Sequence, residues 1–77
     1  MTEAQLRGLR ALDAAPNKTL PQQDFRRALG ITNRSFYLVL HRMLEANLIA
    51  RRANYDAMHV ELTVSGLRAI AKAEGRS

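Results

Sequence analysis

The sequence predicts an α+β domain, mainly helical with one small β-hairpin: a three-helix core followed by the hairpin and a C-terminal helix. Three observations lead there. Apolar residues recur at helical spacing in separate stretches along the chain. Met58, Val60 and Leu62 alternate with His59 and Glu61, the period of a half-buried strand. Thr2, Pro16, Gly30, Thr32, Asn47, Thr63 and Gly75 stand at the joints where caps and stops are needed. The 77 residues make one domain over positions 1–77. A chain of this size buries only about 60–65% of its unfolded surface, so a dimer would help it.

The first helix is expected over residues 3–14. Thr2 and Gln5 match a capping box, and Leu6, Leu9 and Leu12 share one face. Those leucines are either core or a dimer face. Gly8 weakens the helix by up to about 1 kcal/mol relative to alanine. Pro16 ends it, and Pro16-Asn17-Lys18 reads as a loop. Thr19 and Leu20 form a minimal strand. Pro21 suits the first turn of a second helix, where its missing N–H is harmless. That helix runs to Leu29, with Phe25 and Leu29 inward. Arg26 and Arg27 lie on its outer side, a basic face either solvated or set against phosphates.

Residues 29–49, LGITNRSFYLVLHRMLEANLI, are the most informative stretch. Gly30 supplies a left-handed residue for a sharp turn. Ile31 plugs the space between two helices, and Thr32 caps the next one. The third helix is expected over 33–46, with Phe36, Val39, Leu40 and Met43 as one buried stripe. Leu38 points away from that stripe and should be exposed. Asn47 terminates the helix, because asparagine tolerates the left-handed conformation. Two helices joined in this way form a helix-turn-helix. With Asn33, Arg34, Ser35 and Arg42 off the stripe, the third helix is shaped to enter a DNA major groove. Leu48–Arg52 and Met58–Leu62 then read as hairpin strands joined by Asn54-Tyr55-Asp56-Ala57. Thr63 caps a last helix over 64–74, with Leu67, Ile70 and Ala71 inward. Gly75 stops it, and Arg76 and Ser77 should fray.

The order helix, short strand, helix, helix, hairpin, helix resembles the winged helix-turn-helix. Within that group it resembles the DNA-binding core of the MarR-type regulators, over roughly residues 19–70. LPQQDFRRALGIT is similar to the family's second helix and turn. SFYLVLHRMLEANLIARR is similar to its recognition helix and the lead-in to the wing, with Asn47 where glycine is usual. ELTVSGLRAI is similar to the junction from wing to next helix. The resemblance implies that Asn33, Arg34 and Ser35 read base edges. Tyr37 and Leu38 would share that outward surface, with Arg42 nearer the backbone. Arg51 and Arg52 would sit at the wing base, near a phosphate or the minor groove. The sequence departs from the family at three places. Leu38 replaces a polar or basic residue, Leu44 an acidic one, and the wing tip carries Tyr55 and Asp56 without arginine. The family also dimerises through long terminal helices, whereas one short helix follows the wing here, so no effector cleft is expected.

The formal net charge is +5 and the sequence pI about 10.8, with arginine far outnumbering lysine. Arginine forks suit phosphates and guanine edges, although such charge also serves solubility alone. The absence of cysteine excludes a disulfide framework and thiolate metal sites. Glu3 and Asp13 interrupt the N-terminus, so nothing resembles a signal peptide. No stretch approaches the roughly 20 apolar residues of a membrane span. The expected location is the cytoplasm. His41 and His59 lack further ligands at recognisable spacing, so no metal or cofactor is expected. Asp13, Asp24, Asp56 and Glu61 make no acid–base pair, and no enzyme activity is expected. Tyr55 is either a turn residue or a stacking group.

Two functional readings follow. One is a small DNA-binding transcriptional regulator acting as a homodimer on double-stranded DNA. It would be held to phosphates by Arg26, Arg27, Arg51 and Arg52, and would read bases from 33 onward. The other is a protein-binding module, or a phage-type inhibitor of a nucleic-acid machine, on the same scaffold. In that reading Leu38, Leu44 and Tyr37 form an apolar contact patch.

Overall fold

Four helices and a three-stranded antiparallel sheet appear in the computed structural model, which describes residues 1–53 and 57–75. The chain runs α1 (Glu3–Ala14), β1 (Thr19–Pro21), α2 (Gln22–Leu29), α3 (Asn33–Glu45), β2 (Ile49–Ala53), β3 (Met58–Leu62) and α4 (Val64–Ala73). The turn residues Asn54, Tyr55 and Asp56 and the terminal Arg76 and Ser77 lie outside the described residues. β3 is the central strand. β2 pairs with it as the hairpin, and β1 pairs on its other side with Leu20 opposite Val60.

Local chemistry sets most of the boundaries. The Thr2 side chain accepts from the Gln5 N–H, and the Gln5 side chain accepts from the Thr2 N–H, closing the capping box of α1. Gly30 sits at φ +70°, and its N–H reaches back to the Arg26 and Arg27 carbonyls. That left-handed residue redirects the chain from α2 to α3. Arg7 donates to the Leu29 carbonyl at the end of α2 at 2.8 Å, so α1 supplies a second cap for α2. Pro21 differs from expectation. It is the last residue of β1 and precedes α2, because at an edge strand its missing N–H costs no ladder bond.

α3 ends in a Schellman motif. Asn47 is left-handed at φ +61°, its N–H bonds the Leu44 carbonyl, and the Leu48 N–H bonds the Met43 carbonyl. The Asn47 carbonyl then accepts from Thr63 Oγ1 at 2.6 Å, and Thr63 also caps α4 through the Gly66 N–H. The end of α3 is thereby tied to the start of α4 across the base of the hairpin.

The core is apolar throughout. Leu9 and Leu12 of α1 are fully buried, as are Phe25, Leu29, Met43 and Val60. Leu9 and Leu12 are therefore core, each contributing about 1.5–3 kcal/mol by burial, and Leu6 is partly buried against the core. Val39 and Leu44 are partly buried and packed against the same cluster. Leu67 was expected inward and is instead 41% exposed; Gly66 and Ile70 face the core. The reason is close approach. α4 lies so near the Leu48 carbonyl that only a residue without Cβ fits at 66, and this sets the rotation of the helix. No helix among the described residues is long and apolar enough to cross a membrane.

Candidate nucleic-acid interface

The outward face of α3 presents Asn33, Arg34, Ser35, Tyr37, Leu38, His41 and Arg42, all exposed. The Thr32 hydroxyl accepts from the Ser35 N–H, which starts the helix at Asn33 and aims its first turn outward. Phe36, Leu40 and Met43 anchor the opposite face. The Schellman motif holds the far end. Both ends of α3 are thus fixed by backbone hydrogen bonds, which is what a helix needs to address a groove at defined register.

The distribution of charge partners separates the arginines. Arg27 Nη1 lies 3.6 Å from Asp24 Oδ1, and Arg52 Nε donates to Glu61 Oε2 at 2.7 Å. On α3 itself, His41 Nε2 meets Glu45 Oε1 at 2.8 Å. Lys18 is paired with Asp13, and Arg10 lies near Glu74. Arg26, Arg34, Arg42 and Arg51 have no hydrogen-bonding or ionic partner for their side chains among the described residues. Exposed ion pairs contribute little to stability. Arg68 and Lys72 of α4 likewise have no such partner among the described residues, so uncompensated positive charge stands on α4 as well as on α2, α3 and β2, and α3 with its neighbours α2 and β2 carries four of these cations.

Strand register divides the two arginines of β2. Ile49 opposes Leu62 and Arg51 opposes Val60, so Arg51 issues from the core-facing side of β2. Arg52 issues from the outer side with Glu61, which is opposite Thr19 and Ala50. Only Arg51 is therefore on the helical side of the sheet.

A groove of about 450 Å³ runs between α2 and α3, lined by Gln22, Gln23, Arg26, Asn33, Phe36 and Tyr37. It brings Arg26, Asn33 and Tyr37 together. It also adds Gln22 and Gln23, which the sequence reading missed; two amides straight after Pro21, opening the helix that carries Arg26 and Arg27, were the available signal. The Oε1 of Gln22 is buried and accepts no hydrogen bond among the described residues. Tyr37 packs edge-on to Phe36, with ring centroids 5.1 Å apart, and so leans toward this groove. Leu38 is 54% exposed, as expected from its place off the stripe. Leu44 does not join it, being packed against the core. Of the apolar patch of Leu38, Leu44 and Tyr37 set out for the protein-docking reading, Leu44 is therefore lost, while Leu38 and Tyr37 remain exposed.

The histidines are far apart in role: His41 pairs with Glu45, and His59 lines a shallow cavity with Thr19, Arg52 and Ala53. Among the described residues no three His, Cys, Asp or Glu side chains group so as to hold a metal ion.

This architecture is a winged helix of the kind found in MarR-family transcriptional regulators. Sco5413, a MarR family regulator from Streptomyces coelicolor, matches with a TM-score of 0.85 and 21% identity, over 97% of this chain and 53% of that one. MepR of Staphylococcus aureus, a regulator of the multidrug efflux pump MepA, matches with a TM-score of 0.83 and 25% identity, over 97% of this chain and 56% of that one. MepR solved in complex with DNA matches with a TM-score of 0.83 and 24% identity, over 97% and 63%. The chain therefore spans little more than half the length of the structures it resembles. No family model matches the sequence, and no curated protein does.

Proposed function

We propose that this chain is a DNA-binding transcriptional regulator of the cytoplasm, without catalytic activity, that uses α3 as recognition helix and the β2–β3 hairpin as wing. The observation that carries the reading is the charge pattern: Arg26, Arg34, Arg42 and Arg51 stand without partners among the described residues, around a helix anchored at both ends. Asn33, Arg34 and Ser35 address base edges, with Tyr37 and Leu38 on the same surface. Arg26, Arg42 and Arg51 neutralise phosphates. Arg27 and Arg52 have acidic partners on the protein and take a smaller share. The resemblance to MepR, which has been solved bound to DNA, supports the same assignment.

Selection from random duplex DNA at physiological salt tests this directly. An enriched sequence is expected, with affinity falling steeply as salt rises. Arg26→Ala and Arg51→Ala should each weaken all sequences alike and lower the salt slope by about 1. An unchanged slope in both variants would remove the two residues from the phosphate-binding set.

The reading includes a homodimer. Leu9 and Leu12 of α1 are consumed in the core and Leu6 is packed against it, so α4 is the more available face, with Val64 68% and Leu67 41% exposed. A two-fold dimer would set two recognition helices about 34 Å apart, one DNA turn. Sedimentation should show a dimer that Leu67→Glu converts to monomer with an unchanged far-UV spectrum. A wild-type chain that is monomeric at every concentration, with and without its DNA, would refute the dimer.

A further inference from the structure

We propose that Leu38 reads a thymine C5-methyl group in the major groove, beside a guanine read by Arg34. This rests on the DNA-reading assignment above and deepens it.

Arg34, Leu38 and Arg42 lie at successive steps of four on α3, a single ridge of the helix surface. Neither arginine has a partner of its own among the described residues, and both flank an exposed leucine. The other near neighbours of Leu38 on the helix are Ser35 and His41, at three residues either way, and both are polar. Leu38 is therefore an isolated apolar group inside a ring of hydrogen-bonding side chains. A docking surface for a protein would need more apolar area. Leu44 is packed on the core and supplies none, and Tyr37, though exposed, lies against Phe36 on the side of the α2–α3 groove and adds only its own ring.

Against a base pair, leucine can neither donate nor accept. In the major groove adenine, guanine and cytosine present polar atoms at the edge, and burying these against leucine leaves them unpaired, which is unfavourable. Thymine alone adds a methyl group. The leucine thus selects for that methyl and against the other bases. Four residues of helix advance about 6 Å, and stacked bases about 3.4 Å, so the thymine falls within about two base pairs of the guanine under Arg34.

The test uses the 77-residue chain and the duplex recovered by selection. Each thymine of the site is replaced singly by deoxyuridine, and binding is measured for wild type and for Leu38→Ala. One position is expected where loss of the methyl weakens wild type about three- to fivefold, the equivalent of burying one methyl group. Leu38→Ala should show no loss there while keeping its guanine preference. Cytosine at that position should bind poorly, and 5-methylcytosine should recover part of the difference. Wild-type binding indifferent to deoxyuridine at every thymine overturns the proposal, as does an equal loss in Leu38→Ala or a selected site without thymine. In those cases the DNA-reading assignment stands. A selection that enriches no duplex would instead overturn that assignment, and the proposal with it.

Discussion

Gly66→Ala is expected to destabilise the domain by more than about 3 kcal/mol, the upper end of what overpacking costs. A Cβ at this position would collide with the Leu48 carbonyl oxygen and lie 2.7 Å from Leu62 Cδ1. The first obstacle is backbone, and that backbone is held: the Leu48 carbonyl accepts from the Thr63 N–H, and the Leu48 N–H completes the cap of α3. Relief therefore requires α4 to move off the sheet, which would disturb the Thr63 link to Asn47 as well. For a chain of this size the melting temperature should fall by at least about 12 °C. Gly8→Ala is the internal comparison. Its Cβ would approach Leu29 Cδ2 at 2.5 Å and the Phe25 ring at 3.0 Å, but these are the far ends of side chains and not a hydrogen-bonded carbonyl, and alanine favours the helix. The loss there should be clearly smaller. Thermal melts of both variants decide the matter; a fall of less than about 4 °C for Gly66→Ala would show that α4 shifts freely and that its packing does not hold the end of α3.

Arg34→Ala should weaken binding to the selected duplex by about 1–3 kcal/mol, roughly 5- to 150-fold, and relax preference at one base position. Its side chain is exposed and has no partner among the described residues, so folding should be untouched. That separates the expected loss from a stability effect. Arg34→Lys should not restore the preference, because a bidentate guanine contact needs the guanidinium fork. The readout is a binding curve for the selected site and for single-base variants of it. If affinity falls equally for every sequence, Arg34 contacts phosphate and the reading role passes to its neighbours. If neither affinity nor preference changes, the face assigned to DNA is the wrong one.

Much of this molecule was legible residue by residue. Thr2, Thr32 and Thr63 cap helices, and Gly30 and Asn47 turn left-handed, because each choice is decided by groups within four residues along the chain. The stripe of α3, the alternation in β3 and the exposure of Leu38 follow from periodicity alone. The winged-helix class and the candidate reading residues came from this local information together with the resemblance. Tertiary structure decided what depends on partners distant in sequence. β1 found β3 rather than remaining a lone extended segment, since only a third strand could satisfy its backbone. Gly66 sits against a carbonyl 18 positions earlier, and that contact turned Leu67 outward where the apolar pattern had placed it inward. Glu61 reached back across the hairpin to Arg52 and not to Arg51, so two adjacent arginines became unequal in their pairing. Gln22 and Gln23 entered the groove beside Asn33 and Tyr37 only once α2 and α3 were crossed. Caps and periods are short-range, and a single sequence states them; helix rotation, strand partners and the choice of which cation keeps its charge free are set by contacts that exist only after the chain has closed on itself.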